Sequence, residues 1–226
     1  MARLFGTDGV RGKAGEHPLD PATIRRLGGA LVRALRHDGA EPSRAPIRFL
    51  CGRDTRESGG WIERELASGI ASQGGTLTST GIIPTPAVAF LTPRMGYTAG
   101  VVISASHNPF EDNGIKVFSG AGEKFTDTLE RQVEAIVADA SWSVPPGDAT
   151  VEQIDYRSEY MAHLSRILPE DVRRKGMRVV LDCANGATTT IAPRLFADLG
   201  FDAQTIGIRP DGRNINLQCG STARIR

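Results

Sequence analysis

The sequence predicts an α/β fold built on a largely parallel sheet, continued by an incomplete second α/β unit. Three observations carry this expectation. Strand-like and helix-like segments alternate from Ile47 to Ala138, the pattern of βαβ units. The β-branched run Val101-Val102-Ile103 stops at Ser104-Ala105-Ser106-His107-Asn108-Pro109, as a buried strand does where it opens into a loop. Pro145-Pro146-Gly147 then breaks the chain before a further strand–helix–strand alternation.

From the start, residues 3–12 are rich in glycine and end at Arg11-Gly12. Closely spaced glycines let backbone N–H groups approach an anion, and Arg suits bidentate phosphate contact. The G-x-x-G-x-x-G spacing is neither a P-loop nor a dinucleotide fingerprint, so an ordinary turn with a surface Arg fits these residues equally well. Asp20-Pro21 opens a helix, with Asp as N-cap and Pro at the first helical position. Ile24, Leu27, Leu31 and Leu35 give it one apolar face, and His37-Asp38-Gly39 closes it, His37 being a solvated end residue.

Ile47–Cys51 reads as a strand, Gly60–Gln73 as a helix and Thr76–Thr80 as a strand; Pro84–Met95 reads as a short helix feeding a strand over Tyr97–Ile103. Arg53, Asp54, Thr55 and Arg56, just past a strand end, read as a salt-bridged loop in preference to catalytic groups. Ile115–Phe118 is a strand, and Thr126 caps a helix to about Ala138 with Leu129, Val133, Ile136 and Val137 facing inward. Beyond the Ser141–Asp148 stretch come a helix over Tyr156–Leu168, a buried strand over Met177–Leu181, a helix from about Thr190 to Leu199 and a strand over Asp202–Ile206. The expected division is a first domain over 1–140, a linker over 141–154 and an incomplete second domain over 155–226.

Composition narrows the function. A chain of 226 residues holds one large or two modest domains and buries roughly 70% of its unfolded surface, so stability requires no disulfide or structural metal. A net charge of +1 gives no basic footprint for nucleic acid, and no apolar run approaches membrane length. Cys51, Cys183 and Cys219 are odd in number and lack C-x-x-C spacing, which fits reduced packing residues. No secretory hydrophobic region opens the sequence. The expectation is a soluble cytoplasmic protein with no nucleic-acid or membrane partner.

Ser106 falls on a loop at a strand end, where α/β folds place their chemistry. His107 beside it is a donor or acceptor near neutral pH, and Lys116 returns on the next strand after the turn pair Asn113-Gly114. A hydroxyl, an imidazole and an amine so arranged suggest a nucleophile or group carrier, although a Ser-His pair alone is more often a solvated turn. Ser104 competes for the role, because alternation puts it on the same face as Ser106. The open end of the strand and adjacent His107 favour Ser106. A serine hydrolase fits poorly, since there is no G-x-S-x-G elbow.

Ser104-Ala105-Ser106-His107-Asn108-Pro109 resembles the phosphoserine loop of the α-D-phosphohexomutases. Phe5-Gly6-Thr7-Asp8-Gly9-Val10-Arg11-Gly12 resembles the amino-terminal signature of one branch, the bacterial phosphoglucosamine mutases. Cys51-Gly52-Arg53-Asp54-Thr55-Arg56, Pro84-Thr85-Pro86, Asp182-Cys183-Ala184-Asn185-Gly186 and Asn214-Ile215-Asn216 follow in the family's order, to about Thr222. The resemblance implies a mixed, largely parallel sheet sandwiched by helices.

It also implies an isomerase that moves a phosphoryl group within a hexosamine phosphate. Phosphorylated, Ser106 would carry roughly −1.5 to −2 charge and three acceptor oxygens. It would pass its group to the 1-hydroxyl of glucosamine 6-phosphate, take back the 6-phosphate of the bisphosphate and leave glucosamine 1-phosphate for amino-sugar and cell-wall supply. Lys116 would be general base or charge stabiliser, and as a base it must be neutral. Arg11 and His107 would steady phosphoryl oxygens, while Asn108 would bind phosphate or shape the loop.

The family holds Mg²⁺ in an Asp-rich loop of the second domain, with a phosphoryl oxygen on Ser106 completing the shell. Asp211-Gly212-Arg213 offers one carboxylate and reads as a turn. Ala223-Arg224-Ile225-Arg226 departs from the family pattern, so the chain is expected to be truncated, without the metal loop and the third and fourth domains. A homodimer is compatible with the resemblance. The rival readings are the glucose or mannose branch of the family and a catalytically inactive fragment.

Overall fold

The computed structural model describes residues 4–37, 46–167 and 177–223. Its elements are β1 (Val10–Lys13), α1 (Pro21–His37), β2 (Arg48–Arg53), α2 (Gly59–Ser72), β3 (Thr76–Ile82), α3 (Thr85–Arg94), β4 (Ala99–Ile103) and β5 (Asp112–Ser119). After them come α4 (Asp127–Ala138), β6 (Glu152–Gln153), α5 (Arg157–Ile167), β7 (Arg178–Asp182), a 3-10 turn over Ala187–Thr190, α6 (Ala192–Asp198) and β8 (Asp202–Ile206). The expected closure of α1 by Asp38-Gly39 and the expected end at Leu168 of the helix from Tyr156 lie outside the described residues.

Local chemistry fixes the helix starts. Asp20 Oδ1 accepts the Thr23 N–H at 3.0 Å, which caps α1 ahead of Pro21, and Thr126 Oγ1 accepts the Leu129 N–H at 3.3 Å to start α4. One six-stranded sheet runs β1-β5-β4-β2-β3-β6. The pairings β4–β2, β2–β3 and β3–β6 are parallel, while β5 is antiparallel to β4 and β1. The sheet is mixed for a simple reason: the loop over 104–111 is too short for a parallel crossover, which needs a dozen or more residues.

The central strands are buried on both faces. Phe49, Cys51, Val101 and Ile103 meet α1, α2 and α4 on one side, while Leu50 and Val102 meet α3, α5 and α6 on the other. The α1–α2 crossing depends on two glycines. A Cβ on Gly69 would lie 2.0 Å from the Arg25 carbonyl oxygen, and one on Gly28 would lie 2.4 Å from that of Leu66. Gly69→Ala is therefore expected to force the helices apart and cost about 3 kcal/mol in urea unfolding. Gly60→Ala, on the same helix but where an added Cβ would meet only the Arg64 side-chain tip at 3.7 Å, should be neutral or mildly stabilising.

The strand expected to be buried at Met177–Leu181 is corrected on two points. It runs over Arg178–Asp182, and it is not buried: Val180 is 65% exposed and Ile206 on its partner 45%. An apolar run signals a strand covered on both faces. Here β7 pairs with β8 alone in a two-stranded parallel sheet whose outward residues have no layer over them among the described residues.

The proline-rich stretch lies against the first sheet's helices. Trp142 stacks under two guanidiniums, Arg33 at 3.9 Å and Arg26 at 5.0 Å, and its Nε1 donates to the Ile136 carbonyl at 2.8 Å. Val144 is buried beside it, and Glu152–Gln153 then adds an edge strand to β3. Two exposed residues carry no hydropathy signal, so this pairing was not legible in sequence.

Candidate active site

The loop after β4 is built from the strand outward. Ser104 N–H donates to Gly114 O at 2.9 Å, extending the β4–β5 ladder by one residue. Ser104 Oγ then accepts the Ser106 N–H at 3.1 Å, so the first serine hydroxyl is a brace within the loop. Ser106 sits in the left-handed region at φ +57°, which for a non-glycine residue costs roughly 1–3 kcal/mol. Its side chain is exposed, and its Oγ makes no hydrogen bond among the described residues. The structure thus separates the two serines, which periodicity could not.

Two side chains hold this strained turn by its carbonyls. Arg56 is wholly buried and ion-paired with Asp54, and its Nη2 donates to Asn108 O at 2.6 Å and Ser106 O at 3.2 Å. Asn216 Nδ2, from the far end of the chain, donates to the same two oxygens, Ser106 O at 2.9 Å and Asn108 O at 3.1 Å. The salt-bridged loop expected at Arg53–Arg56 is present, and its pair is Asp54–Arg56. That this pair lies beneath Ser106 was not legible, because the acceptors are backbone atoms some fifty residues away. Asn108 spends its own amide inside the loop, Nδ2 donating to Asp112 Oδ2 at 2.9 Å, a geometry of loop shaping rather than phosphate binding.

Arg11 and Lys116 arrive on the neighbouring strands. In register Arg11 opposes Gly114, and Lys116 opposes Val102. Gly114 is required there: a Cβ would lie 2.7 Å from Ser104 O and 3.0 Å from Arg11 Cγ, so the Arg11 stem crosses the bare glycine beside the serine loop. Gly9, at φ +88°, plays the same part for Lys116, whose Cγ would lie 3.1 Å from an added Cβ. Both cations meet Asp8, Arg11 Nη2 at 3.3 Å and Lys116 Nζ at 3.4 Å.

Lys116 and then Arg11 hold the Asp8 carboxyl below the usual carboxylate range. A depressed value means that the Asp8 pairings are complete at neutral pH and fade only as acid takes the pH through the lowered value. Carboxyl-detected NMR should place the Asp8 midpoint below its ordinary value, and Lys116→Met should raise it. An unshifted midpoint would remove Asp8 from the site. Sequence reasoning missed Asp8, although an acid flanked by Thr7 and Gly9 and three residues before Arg11 was a usable signal.

The candidates do not all converge. Lys116, Asp8, Thr7, Thr85 and Lys124 line a cavity of about 260 Å³. His107, also exposed, lines a different one of about 500 Å³ together with Arg213, Asn216 and Gln218. Ser106 lies beside His107 on the loop that lines the second cavity. The motifs Asp182–Gly186 and Asn214–Asn216 come to the same place: Thr55 Oγ1 donates to Asn185 O at 2.5 Å, Glu57 N–H to Gly212 O at 3.0 Å, and Arg213 Nε to Glu57 Oε2 at 2.8 Å.

A metal has few ligands to draw on. Among the described residues no three His, Cys, Asp or Glu side chains are grouped to hold an ion. Asp211 Oδ1 accepts the N–H groups of Arg213 and Asn214 at 2.8 and 2.9 Å, the turn its sequence suggested. These residues do not form a Mg²⁺ site. The three cysteines are free, and burial pushes the Cys51 thiol well up, which makes it a packing residue. Among the described residues no helix is long and apolar enough to cross a membrane.

Comparison with known proteins places this geometry. The domain family described as "Phosphoglucomutase/phosphomannomutase, alpha/beta/alpha domain I" matches residues 2–143. A protein named phosphoglucosamine mutase from Solibacter usitatus is 46% identical over 96% of this chain and 48% of its own length. Another so named, from Syntrophus aciditrophicus, is 43% identical over 98% of this chain and 49% of its own length. The chain thus spans about half the length of these curated relatives. Among solved structures, a phosphoglucomutase/phosphomannomutase family protein from Burkholderia thailandensis matches at TM-score 0.76 and 25% identity, covering 93% of this chain and 45% of its own. A putative phosphomannomutase from Thermus thermophilus matches in fold at TM-score 0.80 and 24% identity, over 94% of this chain and 47% of its own.

Proposed function

The chain belongs to the phosphoglucomutase/phosphomannomutase family, and from that premise we propose that it contributes the phosphoserine half of a phosphoglucosamine mutase. The reading rests on one observation above the others: Ser106, its hydroxyl exposed and without a hydrogen-bond partner among the described residues, stands on the loop that joins β4 to β5, the strand that carries Lys116 and pairs with the strand of Arg11. The proposed reaction interconverts glucosamine 6-phosphate and glucosamine 1-phosphate through a 1,6-bisphosphate. The Ser106 Oγ–P bond breaks as the bond from phosphorus to the sugar 1-oxygen forms, and the proton lost by the 1-hydroxyl is balanced by the one that returns Ser106 Oγ to a hydroxyl. The second transfer reverses this at the 6-phosphate and restores phospho-Ser106.

Such transfers pass through a loose, highly charged transition state, so positioning and charge neutralisation supply most of the rate. Lys116 Nζ is ion-paired with the Asp8 carboxylate at 3.4 Å, which supports Lys116 as charge stabiliser over general base. Arg11 would share that task on phosphoryl oxygens. His107 would act from the other cavity, where a hexosamine phosphate could lie across from Lys116. Asn108 would set the loop's shape.

The family's Mg²⁺ would take an oxygen from phospho-Ser106, with its other ligands from outside the described residues; no step above passes through it. The division into domains at 1–140 and 155–226, a cytoplasmic location, a homodimer and the absence of nucleic-acid and membrane partners belong to the same proposal. So does a role in supplying amino-sugar precursors of the cell wall.

The test is intact mass with peptide mapping after incubation with glucosamine 1,6-bisphosphate. One phosphate, on Ser106, is the expected result, and an unmodified chain would overturn the claim that these residues build a carrier site. Two solved structures named for the glucose or mannose branch stand at 24–25% identity, against 43–46% for the relatives named for the amino-sugar branch. Running glucose and mannose 1,6-bisphosphates alongside decides between them.

A further inference from the structure

Arg56 and Asn216 lie far apart in sequence, yet they donate to the same two backbone oxygens, those of Ser106 and Asn108. A carbonyl oxygen has two lone pairs, so these donors saturate both acceptors. Peptide carbonyls turn with the backbone, and fixing the oxygens on either side of His107 keeps Ser106 in its left-handed conformation. The two donors differ in kind. Arg56 is wholly buried, ion-paired with Asp54 and part of the first sheet's own fabric. Asn216 is half-exposed and belongs to a segment seated on the first domain by Gly212 and Arg213 against Glu57.

We propose that Asn216 is a positioning residue that couples the seating of the 209–222 segment to the conformation of Ser106, with Arg56 as the fixed half of the clamp. When the segment is seated, the strained turn is held from both sides; when it lifts, Ser106 keeps only the Arg56 donor and relaxes. The catalytic consequence rests on the reading of Ser106 as phosphate carrier, whereas the conformational part stands without it.

The experiment is amide hydrogen exchange over residues 104–112, followed through the Asn108 and Asp112 N–H groups, which donate to Ala105 and Pro109. Asn216→Ala should speed exchange there about tenfold, the equivalent of 1.4 kcal/mol. Arg56→Lys, which keeps the charge opposite Asp54 but loses the planar fork, should loosen the same amides. Thr55→Val removes a different contact between the two parts of the chain, the one to Asn185 O, and should leave the loop within twofold of wild type. Loop exchange unchanged in Asn216→Ala would overturn the clamp. Equal loosening in Thr55→Val would also overturn it, because any seating contact would then serve.

In the same samples, phosphate uptake from glucosamine 1,6-bisphosphate should fall in maximal rate in Asn216→Ala, with half-saturation unchanged. A wild-type chain that takes up no phosphate refutes the carrier reading, and the exchange result then decides the clamp by itself.

Discussion

Ser106→Ala takes up no phosphate from glucosamine 1,6-bisphosphate, and Ser104→Ala still does, about fivefold more slowly than wild type. This is the largest effect expected of any single substitution. Ser106 Oγ is exposed and has no hydrogen-bond partner among the described residues, so alanine deletes the acceptor atom and little else. Ser104 Oγ accepts one hydrogen bond from the Ser106 N–H, and losing it costs about 1 kcal/mol of loop order, about fivefold in a rate that depends on that order. Intact mass over time, with peptide mapping, reads both variants in one experiment. Phosphate on Ser104 with Ser106 untouched would move the carrier role two residues back along the strand.

The second large effect is on stability. Arg56→Ala is expected to lower unfolding free energy by about 3–5 kcal/mol, because it strands the Asp54 carboxylate in a buried site with its ionic partner gone. Two carbonyl oxygens of the serine loop lose a donor at the same time. Replacing both partners with apolar residues of similar size, as in Asp54→Leu with Arg56→Met, should recover most of that loss, since neither leaves a charge behind. Urea unfolding measures both. A single mutant within 1 kcal/mol of wild type would mean that the pair is hydrated enough to be dispensable.

Much of the first sheet was legible in the residues. The three- and four-residue apolar steps of α1 and α4, and the short apolar runs of β2 and β4, specify their elements through period and length alone. Thr126 and Asp20 announced their own caps. Arg11 and Lys116 fall where register puts them, Arg11 opposite Gly114 of β5 and Lys116 opposite Val102 of β4.

What stayed hidden is of another kind. The value of Arg56 lies in donors aimed at backbone oxygens, which every residue has and which no side-chain pattern marks. Val180 reads as buried because an apolar strand residue reports its preference for cover and not the number of layers present. Asp8 is half-exposed, and its meaning appears only when β1 and β5 bring Arg11 and Lys116 to it.

The path of the chain from Asp139 to Tyr156 has a mechanical consequence. Prolines and a glycine at 145–147 read as slack, yet the segment is fastened along its length. Arg26 takes the Asp139 and Trp142 carbonyls, the Arg33 guanidinium lies over the Trp142 ring, Gln153 pairs with Ser79, Ile154 N–H donates to Ser79 O, and Tyr156 N–H donates to Thr80 Oγ1. It behaves as a welded strap and not as a tether. Any swing of the β7–β8 unit over Ser106 must therefore pivot beyond Tyr156, on a lever far shorter than a free run from Ser141 would provide. A short lever leaves few places for Asn216 to land.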